Sequence, residues 1–168
     1  MLIRMTIITD VPNYLLAALQ IALRYASVRR QFSTVHGSKE ERKILDYQTL
    51  QYQLTPTLAQ AILQAVNRHF FREQYMVMVE DIKQSKFERM DVLHHLLAGF
   101  KSYYSEEVIV GVETCRRSAG GAGYASFSGF TELANAVSPV PTYEGDNTVM
   151  LLQASRYLFK LVKQASKG

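Results

Sequence analysis

An all-α fold, an antiparallel four-helix bundle, is predicted by three features of the sequence. Apolar residues recur at three- and four-residue steps through four long segments, the segments are joined by short connections, and no stretch shows the alternation of a half-buried strand. The chain has 168 residues, 48% of them hydrophobic, with 4 prolines and 9 glycines, so one helical domain over 1–168 can bury a sizeable core.

The first helix is carried by Tyr14, Ala17, Ala18, Ile21 and Tyr25 and runs to about Val28 or beyond, with Pro12 in a first turn or at a kink. A polar connector, "STVHGSKEERK", occupies Ser33 to Lys43. Leu54, Leu58, Ile62, Ala65 and Val66 mark a long second helix from about Leu45 to Ile82, which Pro56 should bend or deprive of one backbone bond. "KQSKFERMD" closes it, and Asp91 can cap the next helix. The third helix shows Leu93, Leu96, Leu97, Phe100, Tyr104, Val108, Val112 and Cys115, and ends where "SAGGAGY" disfavours continuation. "TELANAV" reads as one or two short turns. The last helix spans about Asp146 to Gln164, with Leu151, Ala154, Leu158, Leu161 and Ala165 inward. Lys160, Lys163 and Lys167 lie near its C-terminal end, where cations favour the helix dipole.

Composition excludes several classes. A single cysteine, Cys115, rules out an internal disulfide framework, and scattered histidines give no metal pattern. His94 and His95 are adjacent and diverge on a helix, and His69 reads as packed rather than catalytic. Phe70, Phe71 and Tyr75 read as core or oligomer interface. The net charge of +4 is spread along the chain without a basic face, so nucleic acid is not an expected partner. The apolar opening "MLIRMTIITDVPNYLLAALQIAL" is broken by Arg4, Asp10 and Pro12, which argues against a transmembrane segment or signal peptide and for a core helix with its upstream context cut away.

Three stretches depart from bundle design: "RRQF" at Arg29 to Phe32, "CRRSAGGAGY" at Cys115 to Tyr124 and "TYEGDNTVMLLQ" at Thr142 to Gln153. Each lies near a helix end, where unpaired backbone groups and adaptable loops favour ligands. The glycines of "GGAGY" can bring backbone amides close to a phosphate or simply stop a helix. They follow no strand and lack the Gly-Lys-Ser/Thr ending, so neither a dinucleotide fingerprint nor a P-loop is present. Arg29 and Arg30 suit either a solvated surface or a bidentate grip on a pyrophosphate, and Arg116 and Arg117 add charge beside the glycine turn. Glu144 suits a helix start, but Asp146 and Thr148 are capping types that can do that job, which frees Glu144 for another role.

Taken in order, "ALQIALRYASVRRQF", "LDYQTLQYQLTPTLAQA", "CRRSAGGAGYASFSGF" and "YEGDNTVMLLQASRYLFK" resemble the C-terminal helical region of the acyl-CoA oxidases, in the acyl-CoA dehydrogenase superfamily. The resemblance covers almost the whole chain and implies the four-helix C-terminal domain of that family. It implies that Glu144 is the catalytic base that removes the pro-R α-proton of a fatty acyl-CoA while the β-hydride passes to FAD, giving a trans-2-enoyl-CoA. A carboxylate enclosed beside apolar groups has the raised basicity such a step needs. The resemblance also puts Arg29 on the FAD pyrophosphate, and Phe32 and Gln48 near the adenosine part across a homodimer interface. Arg117, Gly120 and Gly121 border the dinucleotide, Asp146 and Thr148 lie on the cofactor side, and Tyr143 and Gly145 lie on the substrate side.

"CRR" before "GGAGY", and "EGDN" where dehydrogenases carry "EGT", favour the oxidase branch, in which molecular oxygen takes the electrons as hydrogen peroxide. The alternatives are a dehydrogenase that uses an electron-transfer flavoprotein and a non-catalytic helical dimerisation module. The family's N-terminal helical domain and middle β-domain have no counterpart here, so the expectation is a fragment of a larger enzyme, inactive by itself. A peroxisomal location is implied by the family, although the chain ends "QASKG" and not with an "SKL" signal.

Overall fold

The periodic segments become helices α1 (Leu2–Val28), α2 (Gln48–Lys83), α3 (Glu88–Ser118), the short α4 (Phe130–Val137) and α5 (Asn147–Ala165) in a computed structural model that describes residues 1–33, 37 and 39–166. Side-chain pairs give their directions. Asn13 meets Arg68, Gln60 meets Glu107 and Asn67 meets Tyr104, so α2 runs against both α1 and α3. His94 meets Gln153 and Lys160 meets Asp91, so α5 runs against α3. The up-down-up-down order of an antiparallel bundle follows, with α1 and α3 parallel neighbours.

The α1–α3 approach is set by one glycine. A Cβ on Gly111 would lie 2.5 Å from Leu15 Cδ1 and 3.3 Å from Thr57 Cγ2, so the absence of a side chain lets three helices converge there. Around that point Leu15, Ala18, Leu19, Leu54, Ala61, Val108, Val112 and Cys115 form one core cluster, which Phe130 and Val137 of α4 extend. A second cluster, with Ile8, Phe71, Met78, Leu93, Leu97 and Tyr104, fills the other half. Burying a side chain of leucine size contributes about 1.5–3 kcal/mol, so these clusters dominate the stability. Helix α1 has the length and hydropathy to cross a bilayer, yet Ile8, Val11, Leu15 and Leu19 are buried within the bundle, the pattern of a core helix.

Several expectations are corrected. Phe87, not Asp91, precedes α3, and Asp91 pairs with Lys160 instead. Tyr14, Ile62 and Val66 are exposed, because the buried stripes run through Leu15 and Ala18 on α1 and through Leu54, Ala61 and Phe71 on α2. On α5 the inward residues are Met150 and Ala154, whereas Leu151, Leu158 and Leu161 are exposed, because α5 packs chiefly on α3. His69 is exposed beside Arg68 and Arg72, and Phe70 is half exposed while Phe71 is core. Pro12 and Pro56 sit inside continuous helices. Residues 34–36 and 38 of the polar connector, and Lys167, lie outside the described residues.

Candidate active site

The predicted site residues gather at two places. The first is the C-terminal end of α1. Arg29 N–H bonds Tyr25 O and closes the helix, and the chain then pairs back on itself, with Gln31 N–H donating to Arg42 O at 2.9 Å and Arg42 N–H to Phe32 O at 2.8 Å. Tyr47 Oη donates to Gln31 O at 2.8 Å, which ties this turn to the start of α2, where Gln48 is the first residue. Phe32 is held at φ 57° and is 69% exposed, and Arg29 donates to Gln31 Oε1 at 2.9 Å.

A shallow depression lined by Gln31, Phe32, Tyr47, Thr49, Leu50 and Ser118 joins this turn to the end of α3. Arg117 stands beside Ser118 in the last turn of α3 and, among the described residues, makes no ion pair, whereas Arg116 is committed to Glu113 at 2.6 Å. The glycine turn that follows divides its work. A Cβ on Gly123 would strike Arg116 O, so Gly123 serves the close return of the chain. Gly120, at φ 58°, and Gly121 face open space, where a Cβ would meet nothing within 4 Å. Gly121 therefore has no steric reason inside this chain to be glycine.

The second place is the loop before α5. Asp146 caps that helix, its Oδ1 accepting from Thr148 N–H at 2.9 Å, so the helix start does not use Glu144. Glu144 is exposed at φ 56°, a left-handed conformation uncommon for a non-glycine residue, and its carboxylate makes no hydrogen bond or ion pair among the described residues. Its neighbour Gly145 has φ 109°, and a Cβ there would lie 2.6 Å from Met150 Cε. Tyr143 is 43% exposed, with its phenol raised above its ordinary value by partial burial and by Tyr14. Of the three described non-glycine residues with positive φ, two, Phe32 and Glu144, are residues singled out from the sequence, the kind of site where backbone strain gathers.

What holds this loop was not foreseen. Lys101, in the middle of α3 and fully buried, donates to Gly145 O at 2.7 Å, Asn147 Oδ1 at 2.9 Å and Pro141 O at 3.2 Å. From α1, Arg4 Nε donates to Glu144 O at 2.9 Å. Burial lowers the Lys101 ammonium below its ordinary value, Arg4 lowers it further, and the carboxylates of Asp146, Glu106 and Glu144 oppose them. The signal was present in the sequence: Lys101 lies four residues after Leu97 and seven before Val108, in the apolar stripe of α3.

The two places are not adjacent. Arg4 reaches the Glu144 backbone near the start of α1, whereas Arg29 ends that helix, and at about 1.5 Å per residue Arg4 and Arg29 stand roughly 37 Å apart. No described group of His, Cys, Asp and Glu could hold a metal.

The acyl-CoA oxidase C-alpha1 domain family matches residues 1–159. Peroxisomal acyl-coenzyme A oxidase 1 of Mus musculus is 38% identical over 166 residues, covering 99% of this chain and 25% of that protein. Acyl-coenzyme A oxidase 1 of Drosophila melanogaster is 39% identical over 168 residues, covering 100% of this chain and 25% of its own. Among solved structures, acyl-CoA oxidase 1 of Arabidopsis thaliana matches with a TM-score of 0.93 at 39% identity over 98% of this chain and 25% of that one. Acyl-CoA oxidase-2 of Caenorhabditis elegans, solved bound with FAD, ascaroside-CoA and ATP, matches with a TM-score of 0.94 at 36% identity over 99% of this chain and 25% of that one. The chain thus spans a quarter of the length of the curated relatives it matches.

Proposed function

Because the chain belongs to the acyl-CoA oxidase family, as its C-alpha1 domain, we propose that it supplies the catalytic base of an FAD-dependent acyl-CoA oxidase, and that this base is Glu144. One observation carries the reading: Asp146 caps α5, so the Glu144 carboxylate is left exposed and unpaired on a backbone pinned by Arg4 and Lys101. A carboxylate kept from structural duty on a backbone that is itself fixed suits proton removal from carbon. Glu144 takes the α-proton of a fatty acyl-CoA thioester. Tyr143 offers an apolar face beside it, and Gly145 lets the backbone after Glu144 turn at φ 109° close against Met150.

The group at the end of α1 fits FAD. Arg29 can pair with a pyrophosphate, Gln48 stands at the N-terminus of α2, where backbone N–H groups favour anions, and Phe32 presents an exposed ring. Gly120 and Gly121 leave space that a Cβ would fill, beside the Arg117 cation, and Asp146 and Thr148 lie next to Glu144 on the cofactor side. Bound there, FAD would supply the acceptor for the β-hydride and the route of the electrons to molecular oxygen, so that acyl-CoA and O2 would become trans-2-enoyl-CoA and hydrogen peroxide. The separation of roughly 37 Å along α1 between Arg29 and Arg4, which holds the Glu144 backbone, supports a homodimer in which each chain lends its α1 end to the other's cofactor. Relatives named peroxisomal support a peroxisomal location.

The test is to supply acyl-CoA and oxygen to the enzyme that carries this domain, following flavin absorbance and peroxide together for the wild type and Glu144→Gln. Peroxide from the wild type, with a Glu144→Gln variant that keeps its FAD but neither bleaches nor turns over, is the expected result. Bleaching without peroxide in the wild type would remove the oxidase reading, and full turnover by the variant would remove Glu144 from the base role.

A further inference from the structure

We propose that Arg4 and Lys101 are positioning residues for the proton transfer: two cations from two helices that grip main-chain carbonyls around Glu144 and so aim its carboxylate. This rests on the reading of Glu144 as the base.

The geometry is specific. Lys101 has three N–H donors, and its three acceptors are Pro141 O, Gly145 O and Asn147 Oδ1, so the whole ammonium is committed to one loop. Arg4 takes the carbonyl between two of them, Glu144 O. The peptide units on both sides of Gly145 are therefore held from α1 and from α3. Glu144 is also held at φ 56°, an unfavourable angle for a residue with a side chain, and such angles persist only where the surroundings over-determine them.

Stability alone is a poor reason for such a clamp. Lys101 stands in an apolar stripe between Leu97 and Val108, and a buried ammonium carries a desolvation penalty that a leucine or methionine would avoid. What the cation provides is a fixed path for the backbone that bears Glu144. Asn147 completes the arrangement: its Oδ1 accepts from Lys101 and its Nδ2 donates to Ser105 Oγ at 2.8 Å and Glu106 Oε1 at 2.7 Å, which locks the first residue of α5 to α3. A misplacement of a base by about 1 Å lowers a rate by on the order of 100-fold, so the clamp acts on turnover more than on binding.

The experiment uses the whole enzyme and the variants Lys101→Met, Arg4→Met and Glu144→Gln. Turnover, KM for acyl-CoA, FAD content and the primary isotope effect with α-deuterated acyl-CoA are measured for each. Lys101→Met and Arg4→Met should each lower kcat by about 10- to 100-fold, with KM and FAD content within about twofold of the wild type. The isotope effect on kcat should rise, because removal of the α-proton becomes the slow step. A purely structural role would lower kcat in proportion to lost FAD and leave the isotope effect unchanged, and that outcome overturns the proposal. If Lys101→Met does not fold, Arg4→Met, on a partly exposed side chain, decides by the same criteria. Full turnover by Glu144→Gln would sink the base reading and this inference together. A dead Glu144→Gln beside clamp variants of unchanged kcat and isotope effect would sink the inference alone.

Discussion

Asn147 meets Lys101 inside the molecule, its Oδ1 accepting from Nζ at 2.9 Å, while its Nδ2 donates to Glu106 Oε1 at 2.7 Å. One neutral amide thus bridges a buried cation and a carboxylate, and it does so from the first turn of α5. The start of α5 is fastened to the middle of α3 by polar bonds where apolar packing is thin, since Met150 and Ala154 are the other buried residues of that helix.

Asn147→Leu breaks this bridge on both sides. The ammonium loses one acceptor and Glu106 loses a donor, and bonds to charged groups contribute about 1.5–3 kcal/mol each when buried. The expected loss is about 3 kcal/mol, read as a lower urea midpoint at unchanged slope. A loss under about 1 kcal/mol would mean that water replaces the amide without cost.

Gly111→Ala tests the convergence of α1, α2 and α3. The added methyl meets Leu15 and Thr57 in a filled core, and overpacking of this kind costs about 1–3 kcal/mol. In a Leu15→Ala background the clash is relieved, so the same change should cost less by about 1 kcal/mol or more. Equal costs in both backgrounds would show that the helices separate and that Leu15 is not what they strike.

The extent to which this was legible in the sequence differs from element to element. The stripe of α3 was readable because its neighbours on both sides are helices, so Leu93, Leu97, Tyr104, Val108, Val112 and Cys115 are all buried as their spacing implies. The stripe of α5 was misread because periodicity reports an apolar face but not whether anything covers it, and Leu151, Leu158 and Leu161 are exposed. At the site, the division of labour between Asp146 and Glu144 could be anticipated from capping chemistry alone. For Lys101 the sequence shows a cation at a core position of α3, but not its role, which is set by acceptors 40 to 46 residues away that the folded chain brings over it.

Cys115 makes the stability depend on alkaline pH. Burial pushes its thiol from 9.0 up to about 12, so between those values the folded chain keeps a proton that the unfolded chain has released. The contribution is complete below pH 9.0 and is lost as pH rises toward 12. Tyr104, also raised by burial, acts in the same direction, and Lys101, lowered by burial, acts in the opposite one. Urea midpoints of the wild type should fall over about pH 9 to 10.5, and Cys115→Ala should fall less steeply. Parallel curves would assign the fall to other groups.

Gly145→Ala separates shape from charge in the loop. Alanine disfavours φ 109°, and its methyl would meet the Met150 side chain, so either the loop or Met150 must move while both cations remain. A stability loss of about 1–3 kcal/mol is expected. In the enzyme carrying this domain, kcat should fall by more than about 10-fold with FAD retained. A variant with wild-type kcat would show that the carboxylate keeps its aim without the glycine.

The distance between Arg29 and Glu144 leads to a prediction about two chains at once. If each cofactor takes its Glu144 from one chain and its Arg29 from another, Arg29→Gln homodimers should lose FAD and Glu144→Gln homodimers should keep it, and both should lack turnover. Co-assembly of the two variants then creates a pair with one site that combines an unaltered Glu144 with an unaltered Arg29, while the second site carries both lesions. Mixed dimers should recover about half of the wild-type activity per dimer, a value set by the two-fold symmetry of the assembly. Were both residues to act on a cofactor within a single chain, no mixed dimer would contain an intact site and activity would stay absent. Recovery would thus establish sharing between chains by kinetics alone, its absence from verified mixed dimers would put both residues on the cofactor of a single chain, and Arg29→Gln homodimers that keep FAD and turnover would return Arg29 to a solvated helix end, its guanidinium bonded to Gln31.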